Sequence, residues 1–339
     1  MPSDILPVGK LPMDFLHNLL ERFGGQDERL IVGPRVGEDA AVLDMGDRYL
    51  VVKSDPITFA TDDIGWYVVH VNANDLAMMG ATPRWLLVTL LLPEGRTDRP
   101  LVEGIFNQTS RACESLGITL VGGHTEITYG LERPIAVGVL LGEVDKGGLV
   151  RSSNVQPGDH LILSKGIAIE GTAILAQELG AQLIALVGED LVARGLRFLH
   201  EPGISVLADV QALRQVGTPH AMHDPTEGGL ATGLWELAWA SDKKIVIDRE
   251  AVPVFPETQA ICDALHLDPM GLLASGALLA AVPPDLSAAM VRALDLQGIP
   301  ACVIGRAEEG PASVLVETAA GLEPLPTFER DELAHLFEA

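Results

Sequence analysis

Carboxylates and glycines are concentrated in four short segments of the N-terminal half, just past predicted strands or inside the turns that follow. Each segment alone is typical of a turn or a helix cap, because Asp and Gly favour both. Together they offer hard oxygen ligands, which Mg²⁺ prefers while substrate phosphates complete its shell. The segments are 37–40 (Gly-Glu-Asp-Ala), 54–56 (Ser-Asp-Pro), 72–75 (Asn-Ala-Asn-Asp) and 122–126 (Gly-Gly-His-Thr-Glu).

Two of these segments carry a further signal. Asn74 and Asp75 lie in a predicted helix that is otherwise apolar, where burying an unpaired polar group is costly. The paired glycines Gly122 and Gly123 allow backbone N–H groups to approach a phosphate closely. The sequence therefore indicates a site for a divalent cation and a phosphorylated ligand.

The second half has one matching segment, 224–229 (Asp-Pro-Thr-Glu-Gly-Gly), which precedes a predicted helix. Its carboxylates and glycines suit phosphate or metal binding, although a plain helix cap explains them equally well. Lys10 and Lys53 are the basic residues nearest these segments. Each could contact a phosphate or lie on the solvated surface.

Several well-known motifs are absent from the sequence. There is no GxxxxGK[ST] loop, no GxGxxG after a strand, and no GxSxG. The histidines show no zinc-type spacing, and a lone histidine is more often structural. The three cysteines, Cys113, Cys262 and Cys302, are far apart and predict reduced thiols.

The elements that must position these residues alternate between helix and strand along the chain. A helix is predicted over 14–23, a hairpin over 40–53, and a strand over 119–121 that runs into a Gly-Gly loop. The stretch 145–159 is rich in Gly, Ser, Asn and Pro, which marks a domain boundary. We therefore predict domains at 1–150 and 151–339.

Composition narrows the class of protein. Hydrophobic residues make up 47% of the 339 residues, so a large core is available and disorder is not expected. The formal net charge of −24 repels a phosphate backbone, so we expect no nucleic-acid partner. No apolar run reaches the roughly 20 residues that span a bilayer. With no basic leader followed by an apolar run, a cytoplasmic protein without membrane association is expected.

Motifs along nearly the whole chain share an order with one known family. They are Gly-Glu-Asp-Ala-Ala at 37–41, Ser-Asp-Pro-Ile-Thr at 54–58, Asn-Asp-Leu-Ala-Met-Met-Gly-Ala-Thr-Pro at 74–83 and Val-Gly-Gly-His-Thr-Glu at 121–126, followed by segments 157–159, 224–229, 274–276, 278–282 and 304–305. This ordered set resembles the aminoimidazole ribonucleotide (AIR) synthase superfamily of ATP-binding proteins. Within it, the chain is most similar to the hydrogenase maturation factors called HypE.

The resemblance implies an α+β or α/β fold of two domains. An N-terminal sheet-and-helix domain would form a homodimer and bind ATP near the dimer interface, and a C-terminal α/β sandwich domain would close over it. The cofactors implied are ATP and Mg²⁺, or Mn²⁺. The substrate would be a small molecule or a protein-borne group whose oxygen is activated by phosphorylation.

The resemblance also implies roles for individual residues. Asp224, Lys10 and Lys53 would take part in the chemistry. The implied metal ligands are Asp39, Asp55, Asp75, His124 and Glu126. The implied nucleotide-binding residues are Gly37, Asp39, Asp55, Asn74, Gly122, Gly123, Thr125, Glu227, Gly228 and Gly229.

Two features depart from the family pattern. His124 stands where an acid is usual, and imidazole suits softer metals than Mg²⁺. HypE carries its reacting group on a terminal cysteine, whereas this sequence ends Leu-Phe-Glu-Ala with Cys302 as its last thiol. The carbamoyl-to-cyanide reaction on the chain's own tail is therefore not expected. The alternatives are a nucleotide-binding partner protein with reduced catalysis, and a true AIR synthase.

Overall fold

A computed structural model describes Leu6 and residues 9–58, 62–318, 320–328 and 330–336. Within this part of the chain, two compact units each contain their own β-sheet. The six-stranded unit comprises 26–33 and 39–149. The seven-stranded unit comprises the described residues before position 26, segment 34–38 and the described residues from position 150 onward. The mixed α and β fold expected from the sequence is thus confirmed.

The first helix, α1 (Met13–Phe23), belongs to the seven-stranded unit even though it precedes the six-stranded one. The reason is a set of long-range contacts with that unit. The Lys10 N–H donates to Glu227, and the His17 ring lies edge-on against Trp239. The predicted limit at 150 agrees with the start of the long segment of the seven-stranded unit. As a statement about separately folding domains, the division 1–150 and 151–339 stays a prediction.

The six-stranded sheet has the order β1-β2-β3-β6-β4-β5. Neighbouring strands are antiparallel except β4 and β5, which are parallel. Helix α2 packs on the sheet and against α3. The elements are β1 (Leu30–Val32), β2 (Ala41–Asp44), β3 (Arg48–Ile57), α2 (Ile64–Met78), β4 (Thr82–Pro93), α3 (Arg99–Leu116), β5 (Thr119–Thr128) and β6 (Ile135–Asp145).

Helix α2 is buried on almost every side. This follows from its sequence, because a helix that is apolar all round lies inside a core rather than on its surface. Gly80, at φ +74°, allows the chain to turn away just beyond it. The polar side chains of Asn72, Asn74 and Asp75 are consequently buried in the core of the unit.

Strand β5 differs from the sequence prediction. The predicted strand ended at Val121 in a Gly-Gly loop, but β5 continues through Thr128 because β4 pairs with it along its whole length. Gly123 has φ +145°, and a Cβ there would lie 1.9 Å from the Val88 carbonyl oxygen. Only glycine fits this position. Strand pairing therefore requires Gly123, independently of any role in binding a ligand.

The seven-stranded sheet has the order β13-β12-β9-β11-β7-β10-β8 and is antiparallel except for β12 beside β9. Helix α8 packs on the sheet at β12 and β9, whereas α10 packs on α7, β7 and β11. The elements are β7 (His160–Ser164), α4 (Ile169–Glu178), α5 (Gly180–Val187), α6 (Glu189–Leu196), α7 (Leu207–Val216), β8 (Ala221–His223), α8 (Gly229–Ser241), β9 (Lys244–Asp248), α9 (Pro256–Leu265), β10 (Leu279–Val282), α10 (Pro284–Leu296), β11 (Ala301–Glu308), β12 (Ser313–Thr318) and β13 (Gly321–Pro324).

The core of this unit is aliphatic, as the low aromatic content requires. Leu161 and Leu163 of β7 and Leu279 of β10 pack with Leu230 and Leu234 of α8. Each fully buried side chain of this size stabilises the fold by about 1.5–3 kcal/mol. In the described part of the chain, no helix combines the length and apolar character that crossing a membrane requires.

Candidate functional site

Two predicted carboxylates of the six-stranded unit meet at one ammonium group. The Nζ of Lys53 lies 3.3 Å from Oδ2 of Asp75 and 3.7 Å from Oδ2 of Asp55. Lys53 and Asp55 come from β3, and Asp75 comes from α2, which packs on that strand. We call these three residues the Lys53 cluster. Its formal charge is −1, since one cation faces two carboxylates.

The cluster is held in place by Asn72, one turn before Asp75 in α2. The Asn72 Oδ1 accepts the Asp55 N–H at 2.9 Å, and its Nδ2 donates to the Val68 carbonyl at 2.8 Å and to the Asp55 carbonyl at 3.3 Å. Gly138 of β6 makes room, because a Cβ there would lie 2.4 Å from Asn72 Nδ2. One buried amide therefore fixes the backbone of Asp55 against α2.

Two further predicted residues lie in the same unit. Asn74 is fully buried in α2. Asp39 is also buried, two residues before β2, whose first residue Ala41 is paired with Val52 of β3. That register directs Asp39 toward the end of β3 that carries Asp55.

His124 and Glu126 belong to a different part of the sheet. In the ladder, Asp55 is opposite Gly138, Gly138 is opposite Val88, and Val88 is opposite Gly123. Three strand spacings, roughly 14 Å in total, thus separate the backbone at Asp55 from β5. The five predicted metal ligands are therefore spread across the sheet of one chain, and His124 instead contacts Glu126, with Nε2 and Oε2 3.0 Å apart.

The predicted phosphate-contacting residues of β5 line an open cavity of about 410 Å³. One wall is apolar and comes from Leu90 of β4 and from Ile105 and Phe106 of α3. The β5 segment Gly122, Gly123, His124 and Thr125 also lines the cavity, beside Leu90 in the sheet. A cavity with one apolar wall and a glycine-lined backbone can accept a ring system and a polar group together.

In the seven-stranded unit, a second lysine joins a histidine and a carboxylate. The Glu236 Oε2 lies 3.0 Å from His223 Nε2, and its Oε1 lies 3.2 Å from Lys10 Nζ. Burial alone would raise the pKa of Glu236, but Lys10 and His223 outweigh it and lower that pKa to about 2. Glu236 is therefore a stable anion. We call these three residues the Lys10 cluster.

The predicted loop 224–229 follows β8 and ends at the first residue of α8. Asp224 is buried, Lys10 Nζ donates to Thr226 Oγ1 at 3.4 Å, and the Lys10 N–H donates to Glu227 at 3.2 Å. Gly228 and Gly229 have φ of +80° and +66°, a backbone region that favours glycine. The loop is thus a compact turn joined to the N-terminal segment through Lys10.

Gly37 is explained by packing within the seven-stranded unit. It has φ +81°, and a Cβ would lie 2.7 Å from the Glu236 carbonyl oxygen and 2.9 Å from the Ala240 Cβ. The next residue, Glu38, accepts hydrogen bonds from Arg151 and Ser153 through its Oε1. The segment 34–38 is therefore attached closely to the unit, and its glycine has a structural reason besides the predicted contact with a nucleotide.

One carboxylate of the loop region was not predicted. Asp331 is buried, and its Oδ2 accepts the Gly228 N–H at 2.7 Å. Its Oδ1 accepts the Leu273 N–H at 3.2 Å and the Leu333 N–H at 2.8 Å. Burial raises the pKa of Asp331 to about 6 although the three N–H donors oppose it. The Gly228 N–H, which the sequence assigned to a nucleotide, thus donates to Asp331.

A third lysine is deeply buried and has a different character. The Lys165 Nζ donates to the carbonyls of Ser205 at 2.7 Å and Gly276 at 2.8 Å, and pairs with Asp209 Oδ2 at 3.1 Å. The Ser164 hydroxyl donates to the other oxygen of Asp209. Burial lowers the pKa of Lys165, and Asp209 opposes this shift. We call Lys165 and Asp209 the Lys165 pair.

Burial also raises the pKa values of the three cysteine thiols. It raises the pKa of Cys113 to about 11 and that of Cys262 to about 12, and it raises the pKa of Cys302 as well. All three are free cysteines, and the Cys302 Sγ donates to the Ala251 carbonyl. These groups are protonated at neutral pH, which makes them weak nucleophiles.

The residues that sequence reasoning missed differ in the signal they gave. Glu236 is the one acid inside the apolar helix α8, the same signal that singled out Asp75 in α2. Asn72 was inside a recognised segment but not chosen. Asp331 gave no local signal, because its partner Gly228 is 103 positions away.

Comparison with known proteins defines the family. Residues 37–144 match the N-terminal domain of the AIR synthase related proteins, and residues 156–317 match the C-terminal domain of the same family. The chain belongs to the AIR synthase related family. The expected superfamily is therefore confirmed.

Individual relatives refine this placement. A hydrogenase expression/formation protein of Methanocaldococcus jannaschii is 32% identical over 295 residues, covering 84% of this chain and 83% of the relative. Carbamoyl dehydratase HypE of Rhodobacter capsulatus is 32% identical over 309 residues, covering 88% and 85%. A crystal structure of the hydrogenase maturation protein HypE in complex with ATP has a TM-score of 0.69 and 26% identity, covering 96% of this chain and all of that one.

Proposed function

We propose that this protein is a Mg-ATP-dependent enzyme of the HypE type that activates the oxygen of an amide-like group by phosphorylation. The observation that carries the proposal is the Lys53 cluster, in which β3 and α2 bring two carboxylates together within a family that includes an ATP-bound relative. A role related to hydrogenase maturation follows from the relatives named above.

The donor set of the Lys53 cluster fits Mg²⁺. Asp55 and Asp75 supply hard carboxylate oxygens from two elements, and the cluster carries excess negative charge that a cation would neutralise. Asp39 is the third ligand that we assign, since the strand register supports its approach to Asp55. His124 and Glu126 lie three strand spacings from Asp55 in the same chain, so they would form a separate site, where imidazole suits a softer metal than Mg²⁺. Bound Mg²⁺ would offset phosphate charge during transfer.

The remaining predicted residues have roles in holding the nucleotide. We assign Gly122, Gly123 and Thr125 to nucleotide contacts from β5, supported by the cavity that they line. Lys53 is assigned to a phosphate oxygen, to which its ammonium could move from the carboxylates. Asn74, predicted to bind nucleotide, is assigned to the nucleotide site from its buried position in α2.

Further predicted residues lie in the seven-stranded unit, which is considered by itself. Asp224 is assigned to orient nucleotide or substrate, with Glu227 and Gly229 shaping the same loop. Lys10 is assigned to charge compensation there, because it already pairs with Glu236 and contacts Thr226. Gly37 and Gly228 would act through backbone shape, since both have conformations and neighbours that exclude a Cβ.

The reaction we propose is a dehydration in two steps. The amide oxygen attacks the γ-phosphorus of ATP, which releases ADP and forms an O-phosphorylated imidate with loss of one proton. Elimination then removes the remaining N–H proton and breaks the C–O bond, so that a carboxamide or thiocarbamate becomes a nitrile or thiocyanate and phosphate departs with the former amide oxygen. ATP supplies the driving force, the amide oxygen ends in the phosphate, and the two amide protons are released. The substrate is a small molecule or a group borne by another protein.

We also propose a homodimer formed through the six-stranded sheet. Its β5 is one of the two edge strands and exposes Leu120, Val121 and Ile127, with Tyr129 just beyond the strand. An exposed apolar edge strand is a common site of strand-to-strand association. Sedimentation of the wild type and of Val121→Lys tests this, since the charged edge should shift the protein to monomer.

The test of function is calorimetric titration of ATP with and without Mg²⁺, using wild type, Asp55→Asn and the control Asp285→Asn. Asp285 is an acid in the first turn of α10, outside the assigned site. We expect metal-dependent binding that weakens about tenfold or more in Asp55→Asn, because a charged contact contributes roughly 1.5–3 kcal/mol. Metal-independent binding, or none, would refute the assignment.

Product analysis separates this function from its alternatives. A dehydratase releases both ADP and phosphate when a carboxamide or thiocarbamate is added, and mass spectrometry should detect the nitrile. ATP binding without turnover would favour a partner protein with reduced catalysis, an alternative that His124 in an acidic position supports. Rescue of a purine auxotroph would instead establish an AIR synthase.

A further inference from the structure

The C-terminal segment, of which residues 325–328 and 330–334 are described, returns to the loop that precedes α8. Leu325 and Leu333 are buried, and the Leu325 N–H donates to the Val314 carbonyl at 2.9 Å. Phe328 fills the space beside Gly271, where a Cβ would lie 2.2 Å from the ring. Neither the ring nor the backbone at Gly271 can move without disturbing the other.

Asp331 is the centre of this contact. Its two carboxylate oxygens join three backbone segments, through the N–H groups of Gly228, Leu273 and Leu333. The Gly228 and Leu273 segments are themselves connected, because the Ala274 N–H donates to the Thr226 carbonyl at 3.2 Å. The carboxylate thus closes a second connection between loop 224–229 and segment 272–274.

The Gly228 N–H explains why a carboxylate suits this position. It is one of the first N–H groups at the start of α8, and such groups have no acceptor within the helix. A carboxylate at a helix N-terminus also interacts favourably with the helix dipole. Because Asp331 occupies this donor, the backbone of Gly228 is held in one place.

From these contacts we infer that Asp331 is a positioning residue, which fixes loop 224–229 so that Asp224 and Glu227 are correctly placed for nucleotide and substrate. The part concerning nucleotide rests on the proposed function. The part concerning the loop rests on the hydrogen bonds alone. Asp331 itself contacts backbone groups of the protein, so it acts through the loop.

The first test is amide hydrogen exchange on the full-length protein. In wild type, the Gly228 and Leu273 amides should exchange slowly, and Asp331→Ala should speed both by at least tenfold. Asp331→Asn retains one acceptor oxygen and should have a smaller effect. If both amides keep the wild-type rate in both variants, Asp331 does not hold the loop and the inference is overturned.

The second test separates positioning from a simple loss of folded protein. Calorimetric titration of Mg-ATP should give an unchanged stoichiometry and a dissociation constant raised about tenfold in Asp331→Ala. The control is Leu294→Ala, a buried residue of α10 outside the loop and the C-terminal segment. Leu294→Ala should lower the stability of the fold. A smaller folded fraction can lower the measured stoichiometry, but the dissociation constant of the folded protein should not change.

The outcomes distinguish the two proposals. Faster exchange with unchanged affinity would overturn the role of Asp331 in nucleotide binding. If wild type binds no Mg-ATP, the proposed function fails and the nucleotide part of this inference fails with it, while the exchange data still decide whether Asp331 holds the loop.

Discussion

The Lys53 cluster and the Lys165 pair contain the same kinds of groups but differ in charge balance and access. Lys165 meets one carboxylate and two carbonyls, and both members of its pair are at least 95% buried in side chain. Lys53 faces two carboxylates, and its own side chain is 23% exposed. The first arrangement is neutral and enclosed. The second retains negative charge at a place that a cation can reach.

The difference teaches which buried polar groups are structural. A buried charge that is neutralised by its ion-pair partner does not attract a charged ligand, and removing that partner mainly lowers the stability of the fold. A cluster with surplus charge keeps the capacity to bind. The following predictions test this distinction, beginning with the largest effect.

Asp209→Ala should lower the free energy of unfolding by about 3–5 kcal/mol, because it leaves the Lys165 ammonium buried beside carbonyls without its counter-charge. Urea unfolding followed by circular dichroism measures this. Asp55→Ala in the Lys53 cluster is the matched variant and should cost about 1 kcal/mol or less. Equal losses for the two variants would remove the distinction between the clusters.

The sequence predicted most of the six-stranded unit. The hairpin β2–β3 followed from the turn at Gly46, and α2 followed from its apolar stretch ended by Gly80, because both signals are local. The predicted strand ended before Gly122, because paired glycines are typical of loops, whereas β5 continues to Thr128. Its pairing with β4 lies between segments about 35 residues apart and overrides that local preference.

Helices α5 and α6 were missed for a similar reason. They are short and separated by Gly188, and their packing against α4 and α9 stabilises them more than their own sequence does. For the candidate site, local patterns predicted carboxylates such as Asp55 and Asp75. They did not predict the contact of Lys10 with Glu236, which spans 226 positions, because only the folded chain brings these residues together.

Asp331 offers a third case, a buried carboxylate held by N–H donors with no lysine among its hydrogen-bond partners. Its pKa is raised from 3.8 to about 6, mainly by burial. A raised carboxyl pKa means that the folded state binds the proton more tightly, so stability declines as pH rises from about 4 to above 6. At 1.36 kcal/mol per unit, the decline is about 3 kcal/mol.

Asp331→Asn should remove this decline. We expect the difference in unfolding free energy between Asp331→Asn and wild type to rise in favour of the variant by about 2 kcal/mol between pH 4.5 and 7, which is the part of the full decline that falls in this interval. Urea unfolding at several pH values measures it, with Asp285→Asn as the control for an exposed acid. A pH-independent difference would show that Asp331 titrates normally.

Asn72→Ala probes the support of the Lys53 cluster. It leaves the Asp55 N–H without this acceptor inside the fold, which should cost about 1–3 kcal/mol. Thermal unfolding measures the loss, and Asn18→Ala provides a matched control, because Asn18 is exposed and donates to the Asp14 carbonyl within its own helix. If Asn72→Ala behaved like Asn18→Ala, the amide would not be what holds Asp55.

Lys53→Met should give the smallest effect and the most informative one. Partly exposed ion pairs contribute about 0.2–1 kcal/mol, so the loss without metal should be of that size, as Asp55 and Asp75 then face each other without a cation. Millimolar Mg²⁺ should restore the lost stability, because the metal replaces the ammonium between the same carboxylates. Thermal unfolding with and without Mg²⁺ measures this.

The double variant Lys53→Met with Asp75→Asn should show no recovery, since one carboxylate alone binds Mg²⁺ weakly. Recovery in the double variant would locate the cation elsewhere, and no recovery in Lys53→Met would make the Lys53 cluster a structural ion pair like that of Lys165.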